Sequence, residues 1–486
     1  MSADQCLATS TFRSRLTATL AAGALGLGLL AIPSGIAIAK PATPTQTSTS
    51  SQPTADSLFP EQGSSKYNVK HYAINLSFYS SDNIKATTTF TAKARKPLKS
   101  FSLDLEGLTV DKVRVNGRTA DFSRRDDKLI IKPSKIVEGR FWASIKYHGK
   151  PVTHIDPDGA KDGWIPTDNG AGATVLSEPV GAMTWFPNNN TPRDKATFDM
   201  KITVPSKLEV AGSGDLKSVR KHAGKETWRW VQPYQQATYL AMISISDYDV
   251  YHSTMRTTTG RKLPIWSFIE PKLGTQAAAR ALIPKIIRYE ERRFGPYPFN
   301  SAGIVVKDTD VDYALETQNR PVFDNDEGEL VDDLTNVHEW AHQWYGNSVS
   351  LSDWGDIWLN EGFATYAEWL WAASHGGPST AEQFQQAYDD NPASSDLWSP
   401  APVKLENPAD LFDQQGYLRG SMTLEALRQK VGSHDFFVIL RRWAQQHKYG
   451  NVSTPQFIAL SERVSGQNLD AFFNAWLYVA EKPALS

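Results

Sequence analysis

The sequence predicts a multidomain α and β protein, an all-β N-terminal domain followed by an α+β, mostly helical domain. Three observations carry the prediction. At 486 residues the chain is long enough for two or three domains, and 40% hydrophobic with 21% charged residues is enough to bury a core. Over residues 58–252 the apolar side chains recur at every second position. Beyond Pro264 they recur at three and four, in long segments rich in tryptophan.

The chain opens with Arg13 and Arg15 ahead of an uncharged stretch from Leu16 to Ile32, followed by Pro33 and Ala37-Ile38-Ala39. A basic start, an apolar run and a small-x-small site make residues 1–39 a secretory signal peptide cut after Ala39. The expected location is secreted, or membrane-tethered if the run stays uncleaved as an anchor. Its Gly, Ala and Thr content makes it weakly hydrophobic for a span. Cys6, the single cysteine, precedes the apolar run, so it is not placed for acylation and leaves with the leader. Residues 40–57, KPATPTQTSTSSQPTADS, hold almost no apolar side chain and read as a disordered linker that cannot offset its ordering entropy.

Within 58–252, Tyr72, Ile74, Leu76 and Phe78 alternate, as do Phe101, Leu103 and Leu105, and Val113 and Val115 lead into an Asn116-Gly117 turn. Alternation with turn dipeptides at short spacing predicts a sandwich-like β domain. Residues 253–486 begin with a strand candidate at 302–307 and continue in helical periodicity. With 51 basic against 53 acidic residues the net charge is -2, and the global field supplies no argument for nucleic acid or an anionic membrane as partner.

Residues His338-Glu339-Trp340-Ala341-His342 form H-E-x-x-H. On a helix, positions four apart share a face, so both imidazoles can reach one Zn2+ per chain while Glu339 points beside them at a metal-bound water. A stripe of Leu330, Leu334, Val337, Ala341 and Trp344 predicts that helix. Trp358-Leu359-Asn360-Glu361-Gly362-Phe363-Ala364 opens a second one. Two imidazoles and the Glu361 carboxylate leave a fourth position for water, which hydrolysis requires; a structural site would be closed, usually by cysteine. Glu368 shares a face with Glu361 and Thr365, and either orients a ligand imidazole or is an ordinary partly buried carboxylate. Trp369 and Trp371 read as packing.

Together these motifs resemble the aminopeptidase N family of gluzincin zinc metallopeptidases. Trp185-Phe186-Pro187, Lys195-Ala196-Thr197-Phe198 and Phe294-Gly295-Pro296-Tyr297-Pro298-Phe299 resemble further family segments, so the likeness runs from about residue 66 to the end. It implies a saddle-like β N-terminal domain against a thermolysin-like catalytic domain. The implied activity is that of a zinc metallo-aminopeptidase acting on peptides with a free N-terminus, and no membrane partner remains after signal cleavage. Tyr417, in Gly416-Tyr417-Leu418-Arg419-Gly420, matches the family's catalytic tyrosine, which stabilises the oxyanion. Its plain reading is a core tyrosine. The family's Gly-x-Met-Glu-Asn motif aligns with Tyr313-Ala314-Leu315-Glu316-Thr317, which carries over to Glu316 the role of holding the substrate amine and departs from the pattern at Tyr313 and Thr317. Glu178 sits where the family places a second amine-binding residue. By residue type alone both would be surface acids. Phe472-Phe473-Asn474-Ala475-Trp476-Leu477 resembles the close of the catalytic domain, so the expectation is a short form without the C-terminal helical domain of most members.

Two other readings stay open on the sequence. A thermolysin-type endopeptidase uses the same metal residues without an amine clamp. A secreted binding module with an inactive metal domain would hold no stoichiometric zinc.

Overall fold

The computed structural model describes residues 55–167 and 170–485. The signal, Cys6 and residues 40–54 of the linker lie outside the described residues. Ala55, Asp56 and Ser57 belong to the packed chain: Asp56 is buried and its carboxylate accepts N–H bonds from Trp354, Leu58 and Phe59. No described helix is long and apolar enough to cross a membrane.

The alternation over the first domain becomes an eight-stranded sheet in which Tyr67–Ser80 lies between Asn83–Ala94 and Ala196–Pro205. Its burial alternates as the period-two pattern requires, with Val69, Tyr72, Ile74, Leu76 and Phe78 turned inward. Pairing with Asn83–Ala94 is antiparallel and with Ala196–Pro205 parallel. A three-stranded sheet, Phe101–Asp104, Lys128–Lys132 and Asp121–Arg125, closes over it. Tyr72 stacks on Phe198 and meets Phe186 edge-on inside this core.

A second, five-stranded sheet orders Glu209–Gly212, Ile243–Ser246, Ala173–Leu176, Lys161–Pro166 and Thr153–Ile155. The C-terminal half contributes its own five-stranded sheet, from Asp249–Arg256 through Lys262–Ile269, Val305–Lys307 and Val322–Asp324 to Ala314–Leu315. Asp249–Arg256 pairs along its whole length with Lys262–Ile269, so this sheet starts ahead of residue 253. The strand candidate at 302–307 narrows to Val305–Lys307, with Ala302 in an isolated bridge to Ile265.

Helices α1 (Ala277–Phe294), α2 (Asp333–Ala341) and α3 (Trp358–Ser374) lead the helical part. Two apolar cores result, and both cross the sequence boundary. Val180, Met183 and Tyr239 of the β domain pack in the helical core, while Phe268, Val305, Leu315 and Val322 pack in the β core. The cleft between the two halves therefore has walls that share apolar packing, which fixes their spacing.

Candidate active site

Helix α2 starts at Asp332, whose carboxylate caps it by accepting N–H bonds from Leu334 at 3.0 Å and Thr335 at 2.9 Å. Leu330 is thus a correction to the expected stripe: it precedes the cap and is 67% exposed. Val337, Trp340 and Ala341 are buried and fix which face of α2 turns to the cleft; Trp344 of the expected stripe is buried too but lies past the helix end. That face carries His338 and Glu339, and His342 follows at the helix end.

Helix α3 sets Glu361 opposite. His338 Nε2 and His342 Nε2 stand 3.2 and 3.3 Å from Glu361 Oε2. A tetrahedral ion with bonds of about 2.0–2.1 Å spaces its ligand atoms ~3.3–3.4 Å apart, so these donors fit zinc. The outer nitrogens are held as a ligand set needs: His338 Nδ1 lies 2.6 Å from Glu368 Oε1, and His342 Nδ1 lies 3.0 Å from the Tyr345 carbonyl. Trp369 and Trp371 are buried as packing, with Trp371 edge-on to Tyr289.

Tyr417 reaches the site on a π-helical turn, Gln415–Arg419, ahead of helix Gly420–Val431. The turn is set by close backbone contact. A Cβ on Gly362 would stand 2.8 Å from Gly420 Cα, so only glycine lets α3 approach. Buried Arg419 anchors the turn by donating to the carbonyls of Trp476 and Trp398. The Tyr417 ring lies parallel to His338, with centroids 6.0 Å apart. Burial and the carboxylates of Glu361 and Glu178 push its hydroxyl well above the usual tyrosine range, so it remains a donor at neutral pH.

Glu178, Glu316, Glu339 and Glu361 are all buried in one cavity of about 440 Å³, together with His338, His342 and Tyr417. One carboxylate oxygen each from Glu178, Glu316 and Glu361 lie within 4.8 Å of one another. Burial first, then the charge of Glu316, holds Glu178 well above the carboxylate range. Glu316 is raised chiefly by burial. Glu339 is pushed up to about 8 by burial, against the pull of the two imidazoles. Each of Glu178, Glu316 and Glu339 keeps one oxygen without a protein partner. The cavity thus offers acceptors for a positive charge and a proton.

At the divergent motif positions, the Tyr313 hydroxyl donates to the Lys161 carbonyl at 2.7 Å, and the Thr317 hydroxyl donates to the Arg320 carbonyl at 2.6 Å. The first ties the start of the Ala314–Leu315 strand to the β domain, and the second closes the turn after Glu316. The sequence reasoning missed Gln343 and Asn347, whose amides donate to the Glu316 carbonyl at 3.0 and 2.6 Å. Their signal was position: both lie in the segment just past the H-E-x-x-H helix.

Residues 68–240 match the peptidase M1 N-terminal domain, and residues 289–476 match the peptidase family M1 domain. The chain belongs to peptidase family M1. A crystal structure of the M1 zinc metallopeptidase from Deinococcus radiodurans superposes with a TM-score of 0.80 at 27% identity, covering 88% of this chain and 98% of that one. A mutant of that protein bound to a Tyr-Ser-Ala substrate gives 0.79 at 27% identity over 89% and 98%. Among curated relatives, the leucyl aminopeptidase of Saccharolobus solfataricus is 23% identical over 77% of this chain and 49% of its own length. The chain spans about half the length of the curated relatives it matches.

Proposed function

We propose that the chain is a secreted zinc-dependent aminopeptidase that hydrolyses the first peptide bond of peptides with a free N-terminus. One observation carries the reading beyond the metal residues: Glu178 and Glu316 are buried side by side next to Glu361, each with an oxygen lacking a protein partner. Adjacent buried carboxylates repel, and a substrate ammonium is the group that offsets this.

Zinc held by His338, His342 and Glu361 would supply a Lewis acid for the scissile carbonyl and lower the pKa of the attacking water. Glu339 takes the proton from that water on its free oxygen and delivers it to the leaving amine. Tyr417 donates its hydroxyl hydrogen to the developing oxyanion. Glu368 keeps the His338 ring oriented through Nδ1. With Glu178 and Glu316 gripping the ammonium, only the first bond of the peptide reaches this set. Export rests on the leader sequence; N-terminal sequencing of the protein from culture medium should begin at Lys40.

The test is one peptide in free and N-acetyl forms, with products followed by mass. Acetylation removes a charge-assisted bond worth ~1.5–3 kcal/mol, so kcat/KM should fall about 10- to 150-fold. Loss of single residues in sequence from the free form supports the reading. Internal cleavage of both forms at similar rates refutes it in favour of an endopeptidase.

A further inference from the structure

The β-domain wall of the cleft carries a cluster that the proposed reaction does not use. Strands Thr153–Ile155 and Lys161–Pro166 pair antiparallel with His154 directly opposite Asp162. Partners in register put their side chains on one face, and Asp156, two residues beyond His154, returns to the same face. One donor atom from each of His154, Asp156 and Asp162 lies within 4.8 Å of the others.

The cluster is built rather than incidental. Asp162 is 0% exposed; its Oδ2 accepts the Gly181 N–H at 2.7 Å while Oδ1 has no partner. A Cβ on Gly181 would stand 2.7 Å from the Asp162 carboxyl carbon, so glycine is what permits this bond. Asp156 is also buried, and its partnerless Oδ1 stands 3.9 Å from His154 Nε2. Glu106 Oε2 lies 2.8 Å from His154 Nδ1. That repeats the relation of Glu368 to His338 and leaves Nε2 facing the carboxylates.

Glu106, Asp156 and Asp162 face a single imidazole, and among the described residues no lysine or arginine forms an ion pair with Asp156 or Asp162. Burial holds Asp162 well above the usual carboxylate range and pushes Asp156 up to about 7, so without a cation the acids resist ionising. Burial of unpaired carboxylates is costly, and a cation relieves it.

We propose that His154, Asp156 and Asp162 bind a second divalent cation of the first transition row. One imidazole and two carboxylates suit Mn2+ or Zn2+, with water completing the coordination. Asp156, Asp158 and Ala160 line the same cavity as the metal residues of α2, so the ion enters from the cleft. Bound there, it ties the hairpin to Gly181 and hence to the segment carrying Glu178.

The experiment uses protein brought to one equivalent of zinc, checked by emission spectroscopy so that the second site is left free, and titrates Mn2+, reading free and bound ion by electron paramagnetic resonance. The wild-type protein should take up one equivalent of Mn2+. Asp162→Asn keeps the volume and an acceptor for Gly181 N–H, and should weaken Mn2+ at least tenfold while zinc content, measured by emission spectroscopy, is unchanged. His154→Gln should do the same, and serves if Asp162→Asn does not fold. No Mn2+ uptake by the zinc-loaded wild type, or equal uptake by a folded variant, overturns the proposal.

Discussion

Gly362 sits one residue beyond Glu361, at the contact between α3 and the turn that carries Tyr417. In Gly362→Ala the new Cβ would stand 2.8 Å from Gly420 Cα and 3.2 Å from the Gly416 carbonyl oxygen. Carbon atoms rest at about 3.5–4.0 Å, so the two backbones must part by ~1 Å. Gly416 and Gly420 bracket Tyr417, so the displacement moves its hydroxyl relative to Glu361. A misplacement of ~1 Å costs about 100-fold in rate. Stability changes less: overpacking costs about 1–3 kcal/mol, offset by ~1 kcal/mol from replacing a helical glycine with alanine. The expected result is a kcat about 100-fold down on an aminoacyl reporter at saturating zinc, with a melting temperature within a few degrees of the parent protein. Activity within threefold of the parent would show that this contact does not place Tyr417.

Glu339→Gln keeps the side-chain volume, so zinc content should stay at one equivalent while kcat falls by ~100-fold or more, the usual cost of losing a general base. Near-normal turnover would remove Glu339 from the mechanism. Tyr417→Phe deletes one oxyanion donor and should lower kcat about 100-fold with little change in KM; a KM effect alone would make it a pocket wall. Glu368→Ala frees His338 Nδ1 and should weaken zinc about 10- to 100-fold in chelator competition. Unchanged affinity would reduce Glu368 to a surface carboxylate.

The candidate metal ligands were legible because their spacing is local. His338, Glu339 and His342 lie within about one helical turn, where 3.6-residue periodicity alone puts the two imidazoles on one face, and Glu361 stands in the first turn of the next helix. The β domain was legible for the same reason, since alternation at Tyr72, Ile74, Leu76 and Phe78 depends only on the strand's period of two. Leu330 went astray because an apolar period can be counted past a helix cap, and Asp332 starts the helix only after it.

What only the tertiary structure decided is which distant groups meet. Glu178 and Glu316 become neighbours because the β core and helical core interlock through Val180, Met183, Leu315 and Val322. Gln343 and Asn347 grip the Glu316 carbonyl across a fold that no sequence spacing encodes. His154 faces Asp162 through the strand register, which a one-residue slip would undo. Periodicity along the chain fixes the face a side chain takes, whereas the partner across a cleft depends on how whole elements pack, and packing is settled by the many buried contacts acting together.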